Sequence, residues 1–128
     1  MNKTEQIFSL SCPYDNECQG HYRRVLFVCS AGMLRSATAA YVGSLMGFNT
    51  RACGSENYAL IPISTNLIHW AQSIFFVNEY NYLSTKDTFA CYPDIIEELE
   101  GKSNVWDIDD IYNYRSPTLI HIIEELLS

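Results

Sequence analysis

The sequence predicts an α/β fold in three layers, a four-stranded parallel sheet with helices on both faces. Two observations carry that prediction. Val25-Leu26-Phe27-Val28 and Ile74-Phe75-Phe76-Val77 are short runs, apolar at every position, as strands covered on both sides must be. These runs alternate with segments of helical period bounded by capping residues, the pattern of a parallel sheet built through crossover helices. A length of 128 residues suits one domain, large enough to stand without a disulfide or a metal staple.

The elements follow in order. Residues 1–22 read as a polar N-terminal extension with Pro13, Asn16 and Gly20 as turn formers, ahead of a domain over 23–128. After the strand at 25–28 comes a loop, Ser30-Ala31-Gly32-Met33-Leu34. A helix is expected from Arg35 to Met46, where Ala39, Val42 and Met46 recur at spacings of three and four and Gly47 ends the pattern. Phe48 to Cys53 makes a second strand, closed by Gly54. Ser64 is a good N-cap for a helix over 65–71. The third strand is 74–77, followed by a short helix over 79–86 and another from Pro93 to Glu100, stopped by Gly101. Residues 104–107 form a short fourth strand. Ser116-Pro117 then opens an amphipathic helix over 118–127. Trp70, Phe75, Phe76 and Trp106 are assigned to the core, and His69 and His121 to structural or solvent-facing helix positions.

Composition narrows the function. Eight basic against fifteen acidic residues give a net charge of −7, which repels nucleic acid and acidic membranes and argues against either as a partner. Any anion site must be built locally against that field. No apolar run approaches the ~20 residues of a membrane span, and the start lacks the basic and apolar regions of a signal peptide, so a cytoplasmic protein is expected. Five cysteines, an odd number, then read as mostly free thiols. Cys12, Cys18 and His21 lack the spacing and number of a tetrahedral metal site, so no metal or other cofactor is expected.

The chemistry concentrates at Cys29. By itself, a cysteine after an apolar strand is a small buried hydrophobe. Three neighbours change that reading. Gly32 lets the loop bend so that successive N–H groups point inward as an anion nest. The helix starting near Arg35 adds the positive end of its dipole. Arg35, six positions after Cys29, can fold its planar guanidinium over the nest and grip two phosphate oxygens. All three favour the anionic sulfur, which can attack phosphorus while the amides and Arg35 hold the charged oxygens.

Cys29-Ser30-Ala31-Gly32-Met33-Leu34-Arg35-Ser36, a Cys-x5-Arg-Ser motif after Val25-Leu26-Phe27-Val28, resembles the phosphate loop of the low-molecular-weight protein tyrosine phosphatase family. The stretches from Pro62 to Val77 and Trp106 to Leu119 are similar to a predicted-phosphatase branch of that family, so the likeness spans about residues 23–128. It implies a phosphotyrosine phosphatase I-like, flavodoxin-like fold and hydrolysis of phosphotyrosine or a small aryl phosphate through a cysteinyl-phosphate. Cys29 would be the nucleophile. Arg35 and the loop residues Ser30, Ala31, Gly32, Met33 and Leu34 would bind phosphate, and Ser36 would hydrogen-bond the sulfur. Two departures stand out: the family's loop asparagine is replaced by Gly32-Met33, and its second loop cysteine by Leu34.

A phosphate ester also needs a proton donor for its leaving group. Trp106-Asp107-Ile108-Asp109-Asp110-Ile111-Tyr112 follows the last strand and so lies on the same sheet edge as Cys29. The resemblance implies an acid a few residues before the last helix, in an Asp-Pro-aromatic loop. Asp110 fits that distance, with Tyr112 as an aromatic wall for the substrate; proline is replaced by Ile111, and Asp107 and Asp109 stay as alternative acids.

Other readings remain in view. The chain could be a phosphate- or phosphotyrosine-binding module with little turnover. Residues 29–33 also resemble the start of cellobiose-type B domains of the sugar phosphotransferase system, cysteine phosphocarriers that do not use an arginine at the position of Arg35. An arsenate reductase would need resolving cysteines near the third strand, where only Cys91 is a candidate. The expected partner is a phosphorylated protein or a small phosphate ester; the sequence does not determine the oligomeric state.

Overall fold

A computed structural model describes residues 22–32 and 34–128. The proposed extension over 1–22, apart from Tyr22, lies outside the described residues, as do Met33 and the Cys12, Cys18 and His21 group. The described elements run β1 (Arg24–Cys29), α1 (Arg35–Leu45), β2 (Asn49–Gly54), α2 (Thr65–Trp70), β3 (Ser73–Phe76), α3 (Glu79–Thr88), α4 (Pro93–Lys102), β4 (Ser103–Val105) and α5 (Pro117–Leu127). The four strands form one parallel sheet in the order β2-β1-β3-β4.

Strand β1 shows why its sequence is apolar throughout. Val25 and Phe27 face one side, in a core with Ala39 and Val42 of α1 and Leu119 and Ile123 of α5. Leu26 and Val28 face the other, with Ile68 of α2 and Ile95 and Leu99 of α4. Every one of these side chains is almost fully buried. Side chains alternate across a strand, so a central strand with helices on both faces has no polar position to offer. Phe27, Phe75 and Trp106 stack across neighbouring strands, with centroids 4.8–5.8 Å apart.

Several boundaries move, each for a local reason. Phe48 still belongs to the turn that ends α1, its N–H bonded to the Gly43 carbonyl, so β2 starts at Asn49. Val77 and Trp106 donate to the neighbouring strand but lie past the ends of β3 and β4. Gly101 does not stop α4, which runs on to Lys102; the Lys102 ammonium bonds the Ala71 carbonyl and Glu98, anchoring that last turn. Met46, expected on the apolar stripe of α1, is exposed at its C-cap. Ser64 caps α2 through its side chain, whereas Ser116 precedes Pro117 at α5 without a side-chain cap bond. Trp70 and Phe75 are half-buried, while Phe76 and Trp106 are core. His69 and His121 are exposed, each beside a glutamate. Among the described residues, no helix is long and apolar enough to cross a membrane.

Because all strands are parallel, the segments after Cys29, Gly54, Phe76 and Val105 emerge on one edge of the sheet. Ligands of such sheets bind along that edge.

Candidate active site

The loop after β1 is shaped by its outer hydrogen bonds. Ser55 N–H donates to the Cys29 carbonyl at 2.7 Å, Glu56 N–H to the Ser30 carbonyl at 3.2 Å, and Leu60 N–H to the Ala31 carbonyl at 3.4 Å. In a trans peptide the carbonyl of one residue and the N–H of the next point in opposite directions. With three successive carbonyls turned out toward residues 55–60, the N–H groups of Ser30, Ala31 and Gly32 turn to the inside. Gly32 N–H accordingly donates to Cys29 Sγ at 3.1 Å.

Two glycines make this geometry possible. Gly32 has φ +75°, in the left-handed region that side chains rarely adopt, and a Cβ there would meet the backbone of Cys53 at 2.9 Å. A Cβ on Gly54 would collide with the Ser30 carbonyl oxygen and the Ala59 methyl group. The end of β2 thus lies directly against the loop as an outer wall.

The sulfur sits at the focus of this loop. Cys29 is 3% exposed, and its Sγ lies 3.0 Å from Ser36 Oγ, itself fully buried in the first turn of α1. Leu34, the N-cap of α1, makes no side-chain cap bond, so the positive end of the helix dipole is directed at the loop.

Arg35 links this loop to the acidic one. Its side chain is 3% exposed, its Nη1 donates to the Ile108 carbonyl at 2.9 Å, and its Nε lies 3.6 Å from Asp110 Oδ1. That separation is an ion-pair distance, beyond a hydrogen bond, so Nε is buried with no hydrogen-bond partner among the described residues. The segment holding Asp110 is fixed at both ends. Trp106 and Ile108 donate to the carbonyls of Phe76 and Val77, and Arg115 N–H donates to Thr38 Oγ1 of α1. The guanidinium of Arg115 lies 3.8 Å from the Tyr41 ring centroid.

The structure therefore brings Cys29, Ser30, Ala31, Gly32, Arg35, Ser36 and Asp110 to one site. Leu34 stands exposed beside it. Asp107 instead lines a groove past β4 with Glu79, Tyr82 and Trp106, and Asp109 is exposed. Tyr112 is half-buried against the core on the α1 and α5 side, while Ile111 is 74% exposed. Cys29, Cys53 and Cys91 are free thiols. Cys91 is exposed on the turn between α3 and α4, in a groove with Thr65 and His69. Cys53, on β2, is wholly buried, and that burial, with Cys29 nearby, pushes its thiol well above the ordinary range.

Sequence reasoning missed three residues that shape the loop: Gly54, Ser55 and Asn81. Asn81, wholly buried in α3, donates through Nδ2 to Ser30 Oγ and to Ser55 Oγ, both at 3.1 Å. Nothing in the sequence pattern of that helix sets Asn81 apart, since its burial and its partners are visible only in the fold.

No family model matches the chain, and neither does a curated protein. Among solved structures, it is similar to a variant of YwlE arginine phosphatase that carries a phosphorylated active-site serine. The identity is 18%, with 81% of this chain and 90% of that one covered and a TM-score of 0.57. A second YwlE variant, from Bacillus subtilis, aligns at 15% identity over 82% and 90% of the two chains, with a TM-score of 0.48. YwlE belongs to the low-molecular-weight protein tyrosine phosphatase family, and this chain shares its three-layer α/β fold.

Proposed function

We propose that this protein is a phosphatase that hydrolyses a phosphate monoester, phosphotyrosine or a small aryl phosphate, through a phosphorylated Cys29. The observation that carries the reading is the buried Arg35 Nε, without a hydrogen-bond partner among the described residues, beside a loop whose Gly32 N–H donates to the Cys29 sulfur. A buried guanidinium N–H without a hydrogen-bond acceptor is costly, and a phosphate dianion is the ligand whose oxygens match that edge and the amides together. Those donors also stay in place as charge builds on the equatorial oxygens, which is where preorganisation lowers a barrier.

The steps follow from the placement of the groups. The Cys29 thiolate, with hydrogen bonds from Gly32 N–H and Ser36 Oγ, attacks phosphorus as the ester P–O bond breaks. Asp110, held near Arg35, gives its proton to the departing oxygen. Its carboxylate then takes a proton from water, the resulting hydroxide attacks phosphorus, the S–P bond breaks, and inorganic phosphate leaves with the thiolate restored.

The test is vanadate-sensitive hydrolysis of an aryl phosphate by the purified chain, with phosphoarginine assayed beside it because the solved neighbour is described as an arginine phosphatase. Cys29→Ser is expected to lower the rate by at least about 10⁴-fold. Absence of turnover in the native chain, or an unchanged rate in Cys29→Ser, refutes the proposal. Phosphopeptide binding without phosphate release would assign a binding module instead.

A further inference from the structure

Asn81 lies outside both loops of the proposed chemistry, yet its amide joins them to a third element. Its Nδ2 uses both hydrogens, one for Ser30 Oγ inside the phosphate loop and one for Ser55 Oγ at the start of the wall behind it. Ser55 is also the residue whose N–H turns the Cys29 carbonyl outward. Asn81 therefore clamps the loop to the same segment that sets the direction of its peptides. Its own position is fixed in turn, because its N–H donates to the side chain of Asn78, the N-cap of α3. Helical side chains lean toward the N-terminus of their helix, which is the end of α3 that meets the loop.

Asparagine is a poor helix residue, and Asn81 is fully buried with Oδ1 unbonded among the described residues. A helix at this place would be served better by an apolar side chain. The double donation to Ser30 and Ser55 is what the residue supplies in return.

We infer that Asn81 is a positioning residue that keeps the loop in its inward-amide form, and so keeps the Cys29 sulfur anionic and the anion nest closed. The inference rests on the reading of Cys29 as nucleophile and names a residue that acts through it. Without the clamp, Ser30 and Ser55 separate, the three carbonyls lose their fixed outward direction, and the amides no longer converge on the sulfur.

The experiment measures Cys29 rather than turnover. Alkylation of Cys29 by iodoacetamide is followed against pH by peptide mass spectrometry, with and without inorganic phosphate as protectant. Asn81→Ala is expected to move the profile to higher pH, slowing alkylation on its acid side by roughly tenfold, the factor for one pK unit. Protection by phosphate is expected to weaken with it. A folded Asn81→Ala with the native profile and native protection overturns the inference. Should Asn81→Ala fail to fold, Ser30→Ala and Ser55→Ala each remove one acceptor; shifted profiles support the clamp, and native profiles in both overturn it. Adding Ser30→Ala to Asn81→Ala should change little beyond Asn81→Ala alone, because the bond between the two residues is already broken. A native chain that hydrolyses no phosphate ester, yet whose Cys29 profile still responds to Asn81, would end the phosphatase proposal and leave the clamp standing.

Discussion

The loop from Cys29 to Arg35 and the segment from Trp106 to Ser116 meet at Arg35 but are built on opposite principles. The first is enclosed. Its outer carbonyls are bonded, its wall is the backbone of β2, and the residues at its two ends, Cys29 and Arg35, are 3% and 2% exposed. The second is a surface span pinned at its ends, with Asp109, Asp110 and Ile111 exposed between Ile108 and the Arg115 contact to Thr38. The difference teaches that the half of the site proposed to stabilise charge is part of the protein's packing, while the half proposed to donate the proton is mounted on it. Substitutions in the first half should disturb fold and chemistry together. Those in the second should touch chemistry alone.

Arg35→Lys tests the enclosed half and carries the larger expected effect. Lysine lacks the planar fork that presents Nη1 to the Ile108 carbonyl and Nε toward Asp110 together. The rate should fall by about 10²–10³-fold, as for loss of a fixed oxyanion donor, and the melting temperature should fall with it. Next comes Asp110→Asn on the mounted half. Turnover of an ester with a poor leaving group should drop by about 10²-fold, with a much smaller drop for an ester whose leaving group needs no proton. Its melting temperature should stay native, since the side chain is 65% exposed. An equally large drop in Asp107→Asn or Asp109→Asn would move the acid and break the comparison. The smallest effect lies far from both. Burial acts to raise the Glu98 carboxyl, but hydrogen bonds from His69 and Lys102 outweigh it and hold the group below its usual range. Its stabilisation is therefore present above the ordinary carboxylate range near ~4.3 and is lost as pH falls through the lower folded value. Partial exposure limits the contribution to about 1 kcal/mol or less. Glu98→Gln should melt a few degrees lower at neutral pH, and the gap should close in acid without any change in activity.

Much of this was legible in the sequence, and what was not has physical causes. Val25 to Val28 announced a central strand because burial on both faces leaves no polar position. The same cue overran β3 and β4, where Val77 and Trp106 remain buried after the ladder has ended. Apolar pattern reports burial, whereas strand ends are set by hydrogen bonds. Gly32 could be read from its place in a tight loop. Gly54 could not, because what excludes a Cβ there is a backbone 24 positions earlier in the chain, Ser30. Asn81 was hidden for the same reason: its partners are 51 and 26 positions away, and one buried amide makes no periodic signal.

The bond from Arg35 to the carbonyl of Ile108 bears on how the segment after Ile108 could diversify. A main-chain oxygen is present whatever residue occupies a position, so the tether between the two loops is blind to side-chain identity. The exposed positions 109, 111 and 113 can then exchange bulk, charge or aromaticity and reshape the surface beside the site. The grip that sets the register of that segment against the sulfur does not change with them.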